Sequence, residues 1–122
     1  VDVSDDPLGP AQARAVADEI ARRRRRTRTR RAQLARDVEA LVAATHDAPD
    51  DEHDPEGATI GFERQQAAAL LAEADQHLRE LARAADELDA GRLGRCARCG
   101  RGVGVDRLLA RPTARTCVRC AD

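Results

Sequence analysis

Four cysteines stand in two pairs, Cys96-Ala97-Arg98-Cys99 and Cys117-Val118-Arg119-Cys120, with seventeen residues between the pairs. The spacing C-x2-C-x17-C-x2-C lies within the range of a four-thiolate zinc site. Each C-x-x-C lets one tight turn aim two sulfurs at a single ion, and two such turns complete a tetrahedron. No cysteine is left over, and no histidine lies near either pair to offer another ligand set. Four sulfurs leave no open coordination position, so the spacing predicts one structural Zn2+ rather than a catalytic one. Two disulfides or a redox C-x-x-C are the alternatives, and no βαβ pattern of the redox kind is visible.

The elements that position these cysteines follow from an unusual composition. The chain of 122 residues has one aromatic residue, Phe62, and no Met, Trp or Tyr; its apolar content is mostly Ala, Leu and Val. Long helices packed side by side suit this composition better than a large globular core. From Pro10 to Thr45 nothing breaks a helix, and Ala13, Ile20, Thr27, Leu34 and Leu41 recur every seven residues. Ala17, Val38 and Thr45 fill a companion row, with Arg24 and Arg31 weakening its middle. A second helix is expected over 58–90, where Ile60, Ala67, Ala74, Leu81 and Leu88 form one row and Leu71, Leu78 and Ala85 the other. The segment 46–57, with two prolines, a glycine and six acids, reads as the turn between them.

The expected organisation is therefore a flexible lead over 1–9, an antiparallel coiled-coil hairpin over 10–91 with its tip at 46–57, and a zinc module over 92–122. At ~1.5 Å per residue each helix reaches roughly 45–55 Å, more than a zinc knot needs for support, so the hairpin reads as an arm. Gly91 and Gly94 end the second helix. Val103, Val105, Leu108 and Leu109 supply a small apolar floor, and zinc supplies folding energy that so small a unit lacks.

Charge is segregated although the net charge is only −1. All 21 basic residues are arginines. Arg22, Arg23, Arg24, Arg25, Arg26, Arg28, Arg30 and Arg31 wrap the first helix, since consecutive residues turn by about 100°. They read either as a patch for phosphates or an acidic surface, or as a solvated shaft partly neutralised by Glu73, Asp75, Glu80 and Asp86. The lack of aromatic residues argues against stacking on single strands. The zinc module carries eight arginines against Asp106 and Asp122. The acids of the turn, Asp47, Asp50, Asp51, Glu52, Asp54 and Glu56, read as a solvated turn capping the second helix or as carboxylates presented to a distant site. Their spacing is not that of an EF-hand. No Ser-His-Asp arrangement, phosphate loop or dinucleotide turn is found, so the chain reads as a non-enzyme. No apolar run approaches membrane-spanning length, and no signal peptide is seen at the start. Zinc held by reduced cysteines fits the cytoplasm.

The stretch Gly94-Arg95-Cys96-Ala97-Arg98-Cys99-Gly100, then Asp106-Arg107-Leu108-Leu109-Ala110-Arg111-Pro112-Thr113-Ala114 and Cys117-Val118-Arg119-Cys120, resembles the DksA/TraR family. The family pattern is close to G-x-C-x-x-C-G-x-x-I-x-x-x-R-L-x-A-x-P-x-A-x-x-C-x-x-C, with Val103 in place of the isoleucine. The resemblance covers Pro10 to Asp122 and implies a mainly α fold: a long two-helix arm on a four-cysteine zinc finger. It also implies a transcription regulator that binds RNA polymerase. The module would dock at the rim of the secondary channel through the surface around Arg107 and Arg111, and the arm would carry its acidic tip inward to modulate initiation. Direct DNA binding is not required by this reading, and the chain is expected to be a monomer.

The tip motif of the family is D-x-x-D-x-A. Counting back from the cysteines without a gap places Ala58 on the alanine, Glu56 on the second acid and His53 on the first. A short slip uses Asp51 and Asp54, and then Glu56 replaces the alanine. Some members bind ppGpp through a basic residue in the R-P-T-A stretch and another directly after the last cysteine. Arg111 is retained here, but Ala121 follows Cys120, which argues against ppGpp as a partner. The alternatives are a zinc ribbon binding nucleic acid through Arg22–Arg31, and a structural adaptor whose arm self-associates.

Overall fold

The computed structural model describes residues 8–47 and 55–121, with the side chains at 46, 47 and 55–57 outside the description. Three helices follow in order: α1 (Pro10–Asp47), α2 (Pro55–Asp89) and a short α3 (Val105–Ala110). An isolated bridge between Arg95 and Gly102 is the β-structure among the described residues. The chain is mainly helical, with two long contacting helices followed by the four-cysteine segment.

α1 starts where its sequence allows. Pro10 needs no hydrogen bond at the first helical position. The Gln12 side chain accepts from the Gly9 N–H at 3.1 Å, and the Gly9 carbonyl accepts from the Ala13 N–H at 2.8 Å. The Gln12 contact is one half of a capping box, and the Ala13 bond is the first of the helix. Leu8, placed by sequence in the lead, packs against the core. α2 opens on Pro55, so both helices reach into the segment expected to be a turn. Proline breaks a helix interior but fits its first turn, and the sequence alone gave no reason to choose.

α2 ends in a Schellman motif. The Arg92 N–H donates to the Glu87 carbonyl at 2.8 Å and the Gly91 N–H donates to the Leu88 carbonyl at 3.0 Å. The turn requires a left-handed residue, and Gly91 supplies it at φ 73°.

The chain forms two compact units, Val1–Arg25 with Arg79–Asp122, and Arg26–Leu78. In the first, Val16, Ile20, Leu81 and Ala84 form one buried cluster with Leu93, Cys96, Val103, Leu108, Ala114 and Cys117. The base of the helix pair and the zinc module therefore share a core. In the second, Leu34 and Ala74 are buried, and Arg31 Nε meets Asp75 Oδ1 at 2.6 Å. The first set joins the start of α1 to the end of α2, and the Arg31–Asp75 pair joins the two helices nearer their middles.

The expected rows hold along α2, where every row residue is buried or half-buried. On α1, Ala17 is exposed and Val16 is fully buried in its place. A straight helix drifts about 20° per heptad from a 3.5-residue repeat, and the larger side chain takes the contact. The two arginines of the weak row behave differently. Arg31 leaves the seam for Asp75, whereas Arg24 stays half-buried with its Nε lacking a hydrogen-bond partner. α3 was not legible as a helix; its six residues follow Gly104 and bury Leu108. No helix among the described residues is long and apolar enough to cross a membrane.

A buried donor without a partner costs about 1–3 kcal/mol. Arg24→Met keeps the stem and removes the donor, so it should stabilise the chain by about 1 kcal/mol. A rise in the urea unfolding midpoint at fixed zinc, followed by helical circular dichroism, is the expected result.

Candidate metal centre and the module around it

Two knuckles bring the cysteines together. In the first, the Cys96 N–H donates to the Arg101 carbonyl at 2.7 Å, and the Gly100 N–H donates back to the Cys96 carbonyl at 2.9 Å. The Arg98 N–H points at Cys96 Sγ, 3.4 Å away. In the second, the N–H groups of Cys120 and Ala121 both donate to the Cys117 carbonyl at 3.0 Å. The Ala97 N–H, donating to the Arg115 carbonyl at 2.7 Å, ties one knuckle to the other.

The ligand atoms of Cys96, Cys99, Cys117 and Cys120 all lie within 4.8 Å of one another. Cys99 Sγ and Cys117 Sγ are 3.8 Å apart. Sulfurs bound at about 2.3 Å in a tetrahedron stand roughly 3.8 Å apart, whereas a disulfide needs about 2.05 Å. The cysteines are free thiols at zinc-site spacing, which removes the disulfide alternative. Cys96 and Cys117 are buried, Cys120 is half-buried and Cys99 is exposed.

Ionisation within the cluster is uneven. Backbone N–H groups, that of Cys117 first and that of Cys99 next, hold the Cys96 thiol down to about 6. The Cys117 side chain first, and burial next, push Cys120 up to about 12. Four thiols in one small volume cannot all lose their protons unless a cation sits among them. The donor set therefore fits one structural zinc held by all four sulfurs, with no position left for a substrate.

The segment after α3 is pinned by three arginines. Arg23 Nη2 donates to the Ala110 carbonyl at 2.7 Å and more weakly to that of Leu109 at 3.4 Å. Its Nε donates to Glu19 Oε1 at 2.8 Å. Arg83 repeats the arrangement from α2, with Nη1 on Glu87 Oε2 at 2.8 Å and Nη2 on the Thr113 carbonyl at 3.3 Å. Arg107 Nε donates to the Thr116 carbonyl at 2.8 Å. Between these clasps Pro112 and Ala114 are buried, while Arg111 and Arg115 are exposed. Glu19 is held well below the usual carboxylate range, first by its hydrogen bond with Arg23 and then by that with Arg22. Sequence reasoning missed the Glu19 and Glu87 clasps, although a Glu four residues from an Arg on one helix was a visible signal.

The other sequence-derived candidates are spread along the chain. Arg107 is half-buried and engaged within the module, whereas Arg111 is open to solvent. Of the arginine run, Arg22 and Arg23 meet Glu19, Arg31 meets Asp75, and Arg25 and Arg26 are also engaged. Arg28 and Arg30 are exposed. The run is partly a set of structural clasps. At the expected tip, Asp51, His53 and Asp54 lie outside the described residues, as does the side chain of Glu56. Ala58 is exposed on the first turns of α2.

Residues 91–122 match the family described as "Prokaryotic dksA/traR C4-type zinc finger". A solved structure of the transcription factor DksA2 from Pseudomonas aeruginosa is similar, with a TM-score of 0.77 and 28% sequence identity. The similarity covers 92% of this chain and 81% of that one. No curated protein sequence gives a match.

Two outcomes are expected. Cys99→Ser should lower bound zinc below one per chain, read by native mass spectrometry, and destabilise the module, because metal binding is folding energy in a unit this small. For the clasp, the folded Glu19 carboxyl is depressed, so its contribution is present above the ordinary carboxylate pKa and is lost as pH falls through the depressed value. Glu19→Gln should therefore lower the melting temperature at pH 7 and flatten its fall below about pH 4.

Proposed function

We propose that this chain, whose residues 91–122 match the dksA/traR C4-type zinc finger, is a non-enzymatic transcription factor acting on RNA polymerase. In this reading the zinc module docks at the rim of the polymerase secondary channel. The hairpin of α1 and α2 enters the channel and presents the acids near its tip, which shifts initiation. The observation that carries the proposal is the likeness to DksA2 over almost the whole chain, helices and cysteine module together. A match confined to the cysteines would support only a zinc ribbon.

The pattern of arginine contacts supports this reading over nucleic-acid binding. Duplex binding through Arg22–Arg31 needs cations available to phosphates, and Arg22, Arg23 and Arg31 are engaged by Glu19, Asp75 and the carbonyls at the end of α3. Arg111 is the retained family position that remains open to a partner, and Arg107 supports the loop that presents it. The place of action under this proposal is the cytoplasm, and ppGpp has no basic side chain at Ala121 to meet it.

Binding to the cognate RNA polymerase, with competition from another secondary-channel factor, is the expected result. Its absence at micromolar chain would sink the proposal. The double substitution Asp54→Asn with Glu56→Gln should leave polymerase binding within about twofold and abolish the effect in a single-round transcription assay. Removing charge from the tip acids alters the action at the distant site and not the docking surface.

A further inference from the structure

Two large apolar side chains stand exposed among the described residues, Phe62 at 67% and Val118 at 72%. Scattered exposed residues of this kind need no explanation. Phe62 lies on an open helix face. Val118 differs because it borders a groove of about 890 Å3 in the first compact unit. Leu8, Leu88, Val103 and Val105 give that groove an apolar floor, and Val118 lines it with them. Val103 is buried, and the other three floor residues are only half-covered. Val118 sits at the second position of the second knuckle, so the rigid zinc turn fixes where its side chain stands.

The charge lining the groove leans basic, two arginines to one aspartate. Arg95 and Arg107 line it with Asp106 as the acid beside them. The module to which they belong has eight arginines against two aspartates, and stays net positive once a zinc with four thiolates contributes −2. An apolar floor with a basic surround is complementary to a protein segment that carries an apolar side chain flanked by carboxylates. A nucleic acid suits it less: the groove has no aromatic side chain for a base to stack on, and apolar contact adds nothing to phosphates.

We propose that this groove is a docking site for an acidic protein segment with an apolar anchor, and that in the polymerase complex such a segment of the polymerase surface fills it. The inference rests on the reading given under Proposed function and goes beyond it, because it moves the centre of docking from the arginine loop to the face beside Val118. Arg111 then lies outside the contact centre. The zinc acquires a second role, holding an anchor-binding face as well as closing the fold.

The test uses the full zinc-loaded chain and measures polymerase affinity for Val118→Ala, Val118→Glu and Val118→Arg. Zinc content and melting temperature should stay at the wild-type values, since the side chain is mostly in solvent. Val118→Glu should weaken binding by at least about tenfold, as expected for a charge of the wrong sign at a desolvated contact. Val118→Ala should weaken it by less, and Val118→Arg should retain more affinity than Val118→Glu because the partner is acidic. Equal loss with both charges overturns the acidic partner, and a Val118→Glu chain that binds as wild type overturns the groove alone. A wild-type chain that fails to bind polymerase overturns both this inference and the reading beneath it. Loss of self-association or of duplex DNA binding in Val118→Glu, with polymerase binding unchanged, assigns the groove to a different occupant and overturns the proposal.

Discussion

Four sulfur atoms confined within 4.8 Å cannot be anions together in an empty space, and this one constraint organises the first compact unit. A divalent cation resolves it and converts mutual repulsion into four bonds. Everything near the cysteines is small: six residues of helix, one isolated bridge and a few valines and leucines. Such a unit buries too little apolar surface to fold on burial alone. Its core is completed by Val16, Ile20, Leu81 and Ala84 from the long helices, which share one cluster with Cys96 and Cys117. The metal site and the base of the helix pair are thus parts of one folding problem. A change at either should be felt at the other.

Much of this was legible in the residues. The C-x2-C-x17-C-x2-C spacing gave the ligand set, because a tight turn is local and its consequences do not depend on the rest of the chain. The heptad rows of α2 gave the buried face for a similar reason; periodicity is a property of one helix. Failures occurred where a choice depended on something non-local. Val16 replaces Ala17 in a cluster with Leu81, Ala84 and residues of the zinc module, which exists only once the chain has folded. Pro55 opens α2 although the same residue elsewhere would end one. α3 is a single short helix whose only strong requirement, the burial of Leu108, exists once the module has closed.

The clasps from Arg23 and Arg83 show a different limit. Their Glu partners at a spacing of four were visible in the sequence, but a pair at that spacing on one helix contributes only roughly 0.2–0.5 kcal/mol by itself. Its importance comes from the second half of each guanidinium, which reaches carbonyls about ninety and thirty residues away in the chain. No local pattern specifies which carbonyls these are. The same point explains why the arginine run could not be assigned from sequence. Its residues look alike along the helix, and only tertiary contacts divide those held by Glu19, Asp75 or a backbone carbonyl from those turned to solvent.

At these two clasps a lysine could not replace the arginine. Arg23 binds Glu19 through Nε and the Ala110 carbonyl through Nη2, and Arg83 binds Glu87 and the Thr113 carbonyl through two different nitrogens. Each contact pair needs donors fixed in a plane and pointing in different directions. A lysine ammonium is a single point on a flexible stem and would have to choose between the acid and the carbonyl. The carbonyls concerned lie at the end of α3 and in the loop after it, where unsatisfied acceptors collect and a cation is favoured. Arginine therefore does two jobs at each clasp: it satisfies a backbone carbonyl, at the end of α3 for Arg23 and in the following loop for Arg83, and it fixes the loop that carries Arg111 to a long helix. A chain with almost no aromatic residues and few large apolar ones uses these forked contacts where a larger core would use packing.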